Sequence, residues 1–408
     1  MTSPPTSKIE HLFRNEYTRL ISSLTSKFGA SNIDIIEDAV QDSLLKAMRL
    51  WSYKNDPPNP SKWLYRVSYN AVIDSLRRRS KTLMFNPEIM TDYLEESYEF
   101  DDAIEDKQLQ MIFACCHPEI SENDRVILSL KLLCGFSNRE IGRVLFKNED
   151  AVKKGLSRAK KTFKTKVKEL TLPSELQLSS RMDTVLTIIY LLFTDGYTAY
   201  SGHELLKKDV CEDALRLAGL LYVNPHCNTP ELQALIALMS YNLSRFEARI
   251  SEEGNLIAME DQDRSLWDRD LIQLGNRFIQ LANTEHHYTR YHLEAAIARE
   301  YAISTSYTTI NWKAILEIYS VLVNLTENVA LALNRLVVLA KVDGNKAALN
   351  ALNQLQDKEL HKNHHYYSIK GDLEKKLQIP SYKQSLLKAI SLTENEIEKN
   401  FLRMKMEK

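Results

Sequence analysis

Ser137-Asn138-Arg139-Glu140-Ile141, running on to Val144-Leu145, then Phe146-Lys147-Asn148, then Glu149 through Lys168: the reading of this stretch decides the fold. Ser137 with Glu140 three residues later forms a capping box, which predicts a helix starting at Asn138. Ile141, Val144 and Leu145 give that helix one apolar face. Asn148 is the next cap, with Glu149 and Asp150 in the first turn, where the helix dipole favours acids. Along the second helix Val152, Leu156, Ala159 and Phe163 share a narrow arc of the wheel. Lys154, Ser157 and Lys161 lie opposite, flanked by Arg158 and Lys164. The stretch holds 11 Lys or Arg against 3 Asp or Glu. Two helices joined by a three-residue break, the second basic on its outer face, match the helix-turn-helix pattern. Taken alone, a lysine-rich solvated face would read the same way. The break also carries Phe146 and Lys147 where a glycine and an apolar residue are commoner.

The residues upstream add an independent signal. A first helix spans Ile9 to Phe28, with Leu12, Phe13, Tyr17, Leu20 and Leu24 at helical spacing, and Gly29 ends it. The next runs from about Ile33 to Leu50. Ile36, Val40, Leu44 and Ala47 face inward, and Asp34, Glu37, Asp38, Gln41 and Asp42 are expected outward. After an Asn- and Pro-rich loop, 52–60, a third helix reaches Arg79. Trp63, Arg66, Asn70, Arg77 and Lys81 line one face of it, Asp74 in the same row, with Arg78 and Arg79 at its end. Leu64, Val67 and Ala71 cover the buried side. Cations headed by an aromatic suit a single nucleic-acid strand, bases stacking on the ring and phosphates meeting the charges. A core Trp and a solvated helix end are the plainer reading of the same residues.

Residues 82–106 hold nine acidic residues and no basic ones, and read as a flexible linker that charge keeps off nucleic acid. Beyond it, one helix ends at Cys115-Cys116-His117-Pro118 and another covers Arg125 to Cys134, closed by Gly135. The chain of 408 residues is too long for one ordinary core. With only 11 Gly and 11 Pro and helical periodicity throughout, the class is all-α. A net charge of −1 hides the basic patch in the balance. Five cysteines without a secretory start point to free thiols in a reducing cytosol, and the longest apolar run, Val185 to Phe193, is too short to span a bilayer. A cytoplasmic protein is expected.

At this point the chain resembles a known family. Glu37-Asp38-Ala39-Val40-Gln41-Asp42, then Trp63-Leu64-Tyr65-Arg66-Val67 with Asn70 and Asp74, then Arg77-Arg78-Arg79, resemble region 2 of the extracytoplasmic-function sigma factors. Glu140-Ile141, Val152-Lys153 and Leu156-Ser157-Arg158-Ala159-Lys160 resemble their region 4 helix-turn-helix. The resemblance implies a region 2 domain over 8–81, the linker over 82–106 and a region 4 domain over 107–171. It implies that Glu37, Asp38, Gln41 and Asp42 meet core RNA polymerase. The loop 52–60 with Trp63, Arg66, Asn70, Arg77, Arg78, Arg79 and Lys81 would meet the −10 strand. Lys153, Lys154, Ser157, Arg158, Lys161 and Lys164 would lie against the −35 element of promoter DNA. Gly155 departs from the pattern, standing where the family commonly has an arginine, so no base contact is expected there.

Residues 172–408 exceed a minimal sigma factor. Their helical pattern carries a 34-residue repeat relating Leu339, Leu352 and Leu355 to Leu373, Leu386 and Ala389, the tetratricopeptide period. Trp312, Leu316 and Tyr319 have roughly the spacing that opens such a repeat. Asp195-Gly196-Tyr197, Glu260 through Asp268 and Ala332-Leu333-Asn334-Arg335 resemble the sigma-factor subgroup with a tetratricopeptide-like C-terminal extension. The extension is expected to regulate in cis and to bind a protein or peptide partner. No cofactor, metal site or enzymatic chemistry is expected. Cys115-Cys116-His117 read as buried residues ending a helix. His286, His287 and His292, and His361, His364 and His365, read as surface histidines, for want of a Cys or carboxylate at fixed spacing. Glu260, Asp261 and Asp263 with Arg264 and Asp268 read as an internal salt-bridged turn. The rival readings are a helix-turn-helix regulator fused to a helical sensor, and an enzyme in the C-terminal half. The α-helical stripe headed by Trp63 and the acidic helix before it favour the sigma factor.

Overall fold

A computed structural model describes residues 5–51, 57–80, 102–145, 147–197, 207–251, 256–284, 288–326, 328–355, 360–393 and 396–407. Most of the acidic stretch, Lys81 and Phe146 lie outside them. Among the described residues all regular structure is helical, apart from an isolated antiparallel bridge between Ile250 and Leu256. The chain divides into two compact units, one of residues 1–192 with 223–227, the other of 193–222 with 228–408.

The first unit contains α1 (Pro5–Phe28), α2 (Ile33–Trp51), α3 (Pro60–Ser80), α4 (Asp102–Cys115), α5 (Glu122–Leu132), α6 (Asn138–Val144), α7 (Glu149–Lys166) and most of α8 (Glu175–Tyr197). Gly29 ends α1 at φ 81, where a β-carbon would be strained. Asn59 opens α3, its side chain accepting from Lys62 N–H with Pro60 at the first helical position. α4 begins at Asp102, inside the stretch read as linker. The core of α1–α3 is Leu20, Ile21, Leu24, Ile33, Ile36, Val40, Leu64 and Val72, all with 1% or less of their surface exposed. On α3 the deeply buried positions are Leu64, Ser68 and Val72, whereas Val67 and Ala71 are half-buried. Cys115 and Cys116 are buried at the end of α4, where loss of hydration pushes both thiols up, Cys116 to about 12. Arg181 of α8 donates to the Phe113 carbonyl at 2.7 Å, and Leu178, Met182 and Val185 are buried. Unit 1 therefore extends past the expected boundary at 171.

The second unit begins in the last turn of α8 and continues through α9 (Lys208–Val223), α10 (Pro230–Ser244), α11 (Arg269–Ala282), α12 (Arg290–Ile303), α13 (Trp312–Thr326), α14 (Val329–Val342), α15 (Asn345–Gln354), α16 (His364–Lys376), α17 (Tyr382–Leu392) and α18 (Glu396–Glu407). α10 is apolar nearly all round and buried between α11 and α12. A β-carbon at Gly275 would stand 2.7 Å from the Tyr241 ring, so glycine there sets how closely α11 approaches α10. Three apolar clusters succeed one another along the chain, around Ile315 and Val338, then Leu336 and Leu352, then Leu386 and Leu402. Leu316 packs on the first two and Tyr367 on the last two, so each helix pair buries its face on its neighbours. Leu339 and Leu373, and Leu352 and Leu386, are buried at corresponding points of α14/α15 and α16/α17.

The segment Glu260 to Asp268 is not a salt-bridged turn. Asp263 accepts from Ser265 N–H, and Asp268 caps α11 by accepting from Asp270 and Leu271 N–H. Arg264 lies over the Trp267 ring at 4.4 Å and donates to the Tyr301 and Ser304 carbonyls, at the negative end of α12. Asp263 and Asp268 are taken by helix starts and Arg264 by a helix end, while Glu260 pairs with Lys341 at 3.8 Å.

Candidate nucleic-acid interface

The helix pair α6/α7 has the caps its residues specify. Ser137 Oγ accepts from Glu140 N–H while Glu140 Oε2 accepts from Ser137 N–H, and Asn148 Oδ1 accepts from Ala151 N–H. The sharp turn between them uses a glycine one turn earlier than usual. Lys147 N–H donates to the Gly142 carbonyl at 2.7 Å, and a β-carbon on Gly142 would stand 2.6 Å from the Lys147 oxygen. Val152, Leu156, Ala159 and Phe163 are buried. Lys154, Ser157 and Lys161 point outward, and the two lysines have no ion-pair partner among the described residues. This is a helix with one face fixed in a core and the other a row of cations.

The flanks of that row are engaged within the unit. Arg158 keeps two thirds of its side chain exposed, yet Nε and Nη2 reach the buried Asp124 of α5 at 3.0 and 2.9 Å. The pair depends on Gly155, where a β-carbon would stand 2.9 Å from Asp124 Oδ1 and 2.7 Å from Ile127. A side chain at 155 would have to displace the ends of the Asp124 and Ile127 side chains, and with them the Arg158 pair. Lys153 pairs with Glu149 at 3.0 Å on its own helix. Lys164 pairs with Asp34, at the start of α2.

Beside Lys164 lies Lys160, which pairs with both Asp34 and Glu37. Burial opposes its charge, but the two carboxylates outweigh burial and hold the ammonium above its ordinary pKa. Asp34 is held below the ordinary carboxylate range: burial works the other way, and Lys164 and Lys160 overcome it. Glu37 was expected to face outward, but it is buried, accepting from Tyr17 Oη at 2.9 Å and facing Lys160. Burial first, and then the Glu37 charge, push the Tyr17 phenol well up. A second tie runs from α1: Arg14 donates to Glu140 at 3.3 Å and covers the Phe136 ring. The two groups of helices expected as separate domains are thus joined in one unit, with α7 against the start of α2. Asp38, Gln41 and Asp42 remain exposed on α2, and the exposed Leu45, Met48 and Leu50 extend that surface toward its C-terminus. Composition gave no reason to include those apolar residues. Lys160 did carry a signal, since it adjoins Leu156 on the helical wheel.

On α3, Arg66, Asn70 and Arg77 are exposed along one face, and Arg78 and Arg79 are exposed at its end. Asp74 shares the row, 3.9 Å from Arg77, and its carbonyl accepts from Arg78 Nε. Trp63 is half-buried, its ring 5.6 Å from that of Trp51 on α2 and tilted against it.

Comparisons with known proteins follow this division. Residues 13–82 match sigma-70 region 2 and residues 110–163 match sigma-70 region 4. Residues 181–283 match a family of unknown function, DUF6596. A protein of Rhizobium meliloti (strain 1021), described as uncharacterized, is 30% identical over 400 residues, covering 95% of this chain and 94% of its own. No solved structure matches. Among the described residues no helix is long and apolar enough to cross a membrane. With both sigma regions in order, the helix-turn-helix built as described, and an extension shared nearly end to end with that relative, the chain belongs to the extracytoplasmic-function-like sigma factors that carry a C-terminal extension, proteins of transcription initiation.

Proposed function

We propose that this sigma factor binds core RNA polymerase through the exposed face of α2, reads the −35 element with α7, and meets the opening −10 strand with α3. The observation that carries the reading is α7 itself. Lys154, Ser157 and Lys161 are presented to solvent by a helix whose other face is core, so phosphates and base edges can meet them without unfolding anything. On α2, Asp38, Gln41 and Asp42 continue into Leu45, Met48 and Leu50, a polar surface with an apolar end of the kind that protein partners cover. Glu37 serves a different role from its neighbours, as the buried acid that receives Lys160. Arg158 and Lys164 would reach DNA only by exchanging Asp124 and Asp34 for phosphate. A helix-turn-helix regulator fused to a sensor would need neither the α2 surface nor the α3 stripe. The test is reconstitution: tagged full-length chain should retain polymerase subunits and direct run-off transcription from a matched promoter. Failure of both with folded protein would end the reading.

We further propose that the extension acts on transcription in cis, through a protein or peptide partner. Support comes from its stacked helix pairs, whose successive clusters leave a long surface suited to polypeptide segments. Gly196 offers a local test. A β-carbon there would stand 2.8 Å from Cys211 Sγ and 2.8 Å from the Lys207 carbonyl, so Gly196→Ala must displace α9 from the end of α8. Transcription should change several-fold at equal core binding. A folded Gly196→Ala chain that transcribes as the parent does would make the extension a passive appendage.

A further inference from the structure

The histidines of α16 gain a partner that spacing along the chain could not show. His364 and His365 open the helix, and Glu398, thirty-four residues beyond His364, comes to them from α18. One ligand atom from each of the three lies within 4.8 Å of the others. We propose that His364, His365 and Glu398 form a three-ligand site for one divalent cation of the zinc class, with the remaining coordination position left to water or to a donor from a partner.

Three features favour a shared cation over a simple ion pair. His364 Nε2 is 3.2 Å from Glu398 Oε2, yet that buried nitrogen makes no hydrogen bond of acceptable direction. A distance of 3.2 Å is what two ligands on one ion require: metal–ligand bonds of about 2.0–2.1 Å at a tetrahedral angle put the ligand atoms about 3.3 Å apart. The two imidazole rings lie 3.9 Å apart, centre to centre, so both can offer a nitrogen to one ion. The supports of a metal site are present as well. Thr393 Oγ1 donates to Glu398 Oε2 at 2.6 Å, which fixes the carboxylate, and Asn363 accepts from His365 N–H and fixes the first turn of α16. Two imidazole nitrogens and one carboxylate oxygen are the donors zinc accepts, and they are poor ligands for calcium or magnesium. A bound ion would tie the last helix, seated on Leu386 and Ala389 through Leu402, to the start of α16.

The site does not depend on the transcription reading and stands or falls without it. Full-length chain, stripped with chelator and desalted, is titrated with Zn²⁺ by calorimetry and with Co²⁺ by visible absorption. The expected result is one equivalent bound, with cobalt ligand-field bands of a low-coordinate nitrogen and oxygen site, and slower amide exchange in α18. Glu398→Gln and His365→Ala should each weaken binding by at least about tenfold. His361→Ala, in the short turn just before α16 and outside the set, should leave it unchanged. The five cysteines are all buried and do not compete in the folded chain. Absence of saturable binding, or equal binding by the parent and by the folded Glu398→Gln/His365→Ala chain, would overturn the proposal and leave His364 and Glu398 as an ion pair.

Discussion

Replacing Lys160 by Met tests whether α7 is held to α2 by the buried charge pair. The Glu37 side chain is 4% exposed and that of Lys160 18%, so removing the ammonium leaves a buried carboxylate without its cation. Breaking a buried pair in this way costs about 3–5 kcal/mol. Two features place the cost at the lower end. Tyr17 still donates to Glu37, and Met keeps most of the apolar stem volume of Lys160. Asp34, half-exposed, adds at most about 1 kcal/mol. An opening free energy reduced by about 3 kcal/mol corresponds to roughly a hundredfold faster amide exchange in segments that open together. Hydrogen-exchange mass spectrometry on the full-length chain should therefore show α7 and the first turns of α2 exchanging faster, with α10 unaffected. Glu37→Gln alone leaves a neutral acceptor for Tyr17 and should cost less. The double variant should regain about 2 kcal/mol over the sum, because no unpaired charge remains. Additivity within about 0.5 kcal/mol would show that the two side chains are not coupled, and the reasoning would fail.

Other predictions concern the outer surfaces and pH. Lys154→Ala/Lys161→Ala should lower the slope of log affinity against log salt for promoter DNA by roughly 1.8, about 0.9 per lost phosphate contact, with the fold unchanged; an unaltered slope would remove both from the interface. Asp38→Arg should weaken capture of core polymerase while thermal stability moves little, since the Asp38 carboxylate is exposed and Val40 stays buried; normal competition for core would rule that face out. The α2–α7 ion pairs should be indifferent to pH from about 5 to 9. Asp34, with its pKa lowered, contributes stability above the ordinary carboxylate pKa and loses it as pH falls through the lowered value. Lys160, with its pKa raised, contributes below the ordinary lysine pKa and loses it as pH rises through the raised value. A marked change in α7 exchange protection across that window, after correction for intrinsic exchange, would contradict these assignments.

The helices and their caps were legible because the signals are local. Ser137 and Glu140, and Asn148 and Ala151, each act within four residues, and each is found as its spacing requires. The burial of Val152, Leu156, Ala159 and Phe163 follows equally from the helical period. What the sequence could not show were pairings between distant residues. Glu37 has the same spacing on its helix as Asp34, Asp38 and Gln41, and only the approach of Lys160 and Tyr17 from two other helices turns it inward. Gly155 reads as a weak helix residue until Asp124 and Ile127, some thirty positions earlier, occupy the space its side chain would need. The histidines of α16 lacked a carboxylate until α18 supplied Glu398. In each case one partner was visible and the other was fixed by tertiary packing.

The same pairings bear on how the proposed activities combine. Asp34 holds Lys160 and Lys164 together, and Lys164 stands on the flank of the face assigned to DNA. A phosphate at Lys164 must compete with Asp34, and a partner that takes Asp34 must release Lys164. Linkage makes this reciprocal: whatever free energy DNA loses in freeing Lys164 is recovered when another partner has already occupied the start of α2. The exposed pairs supply little of that coupling, because salt and water screen them. Most of it must come from the buried Glu37–Lys160 pair, which opens only if α7 moves as a body. If α2 is the polymerase-docking helix, a chain bound to polymerase and a chain free in solution then differ in how many of α7's cations face DNA. Lys154 and Lys161 are available in both states, Lys164 once Asp34 is displaced, and Lys160 only when α7 leaves α2.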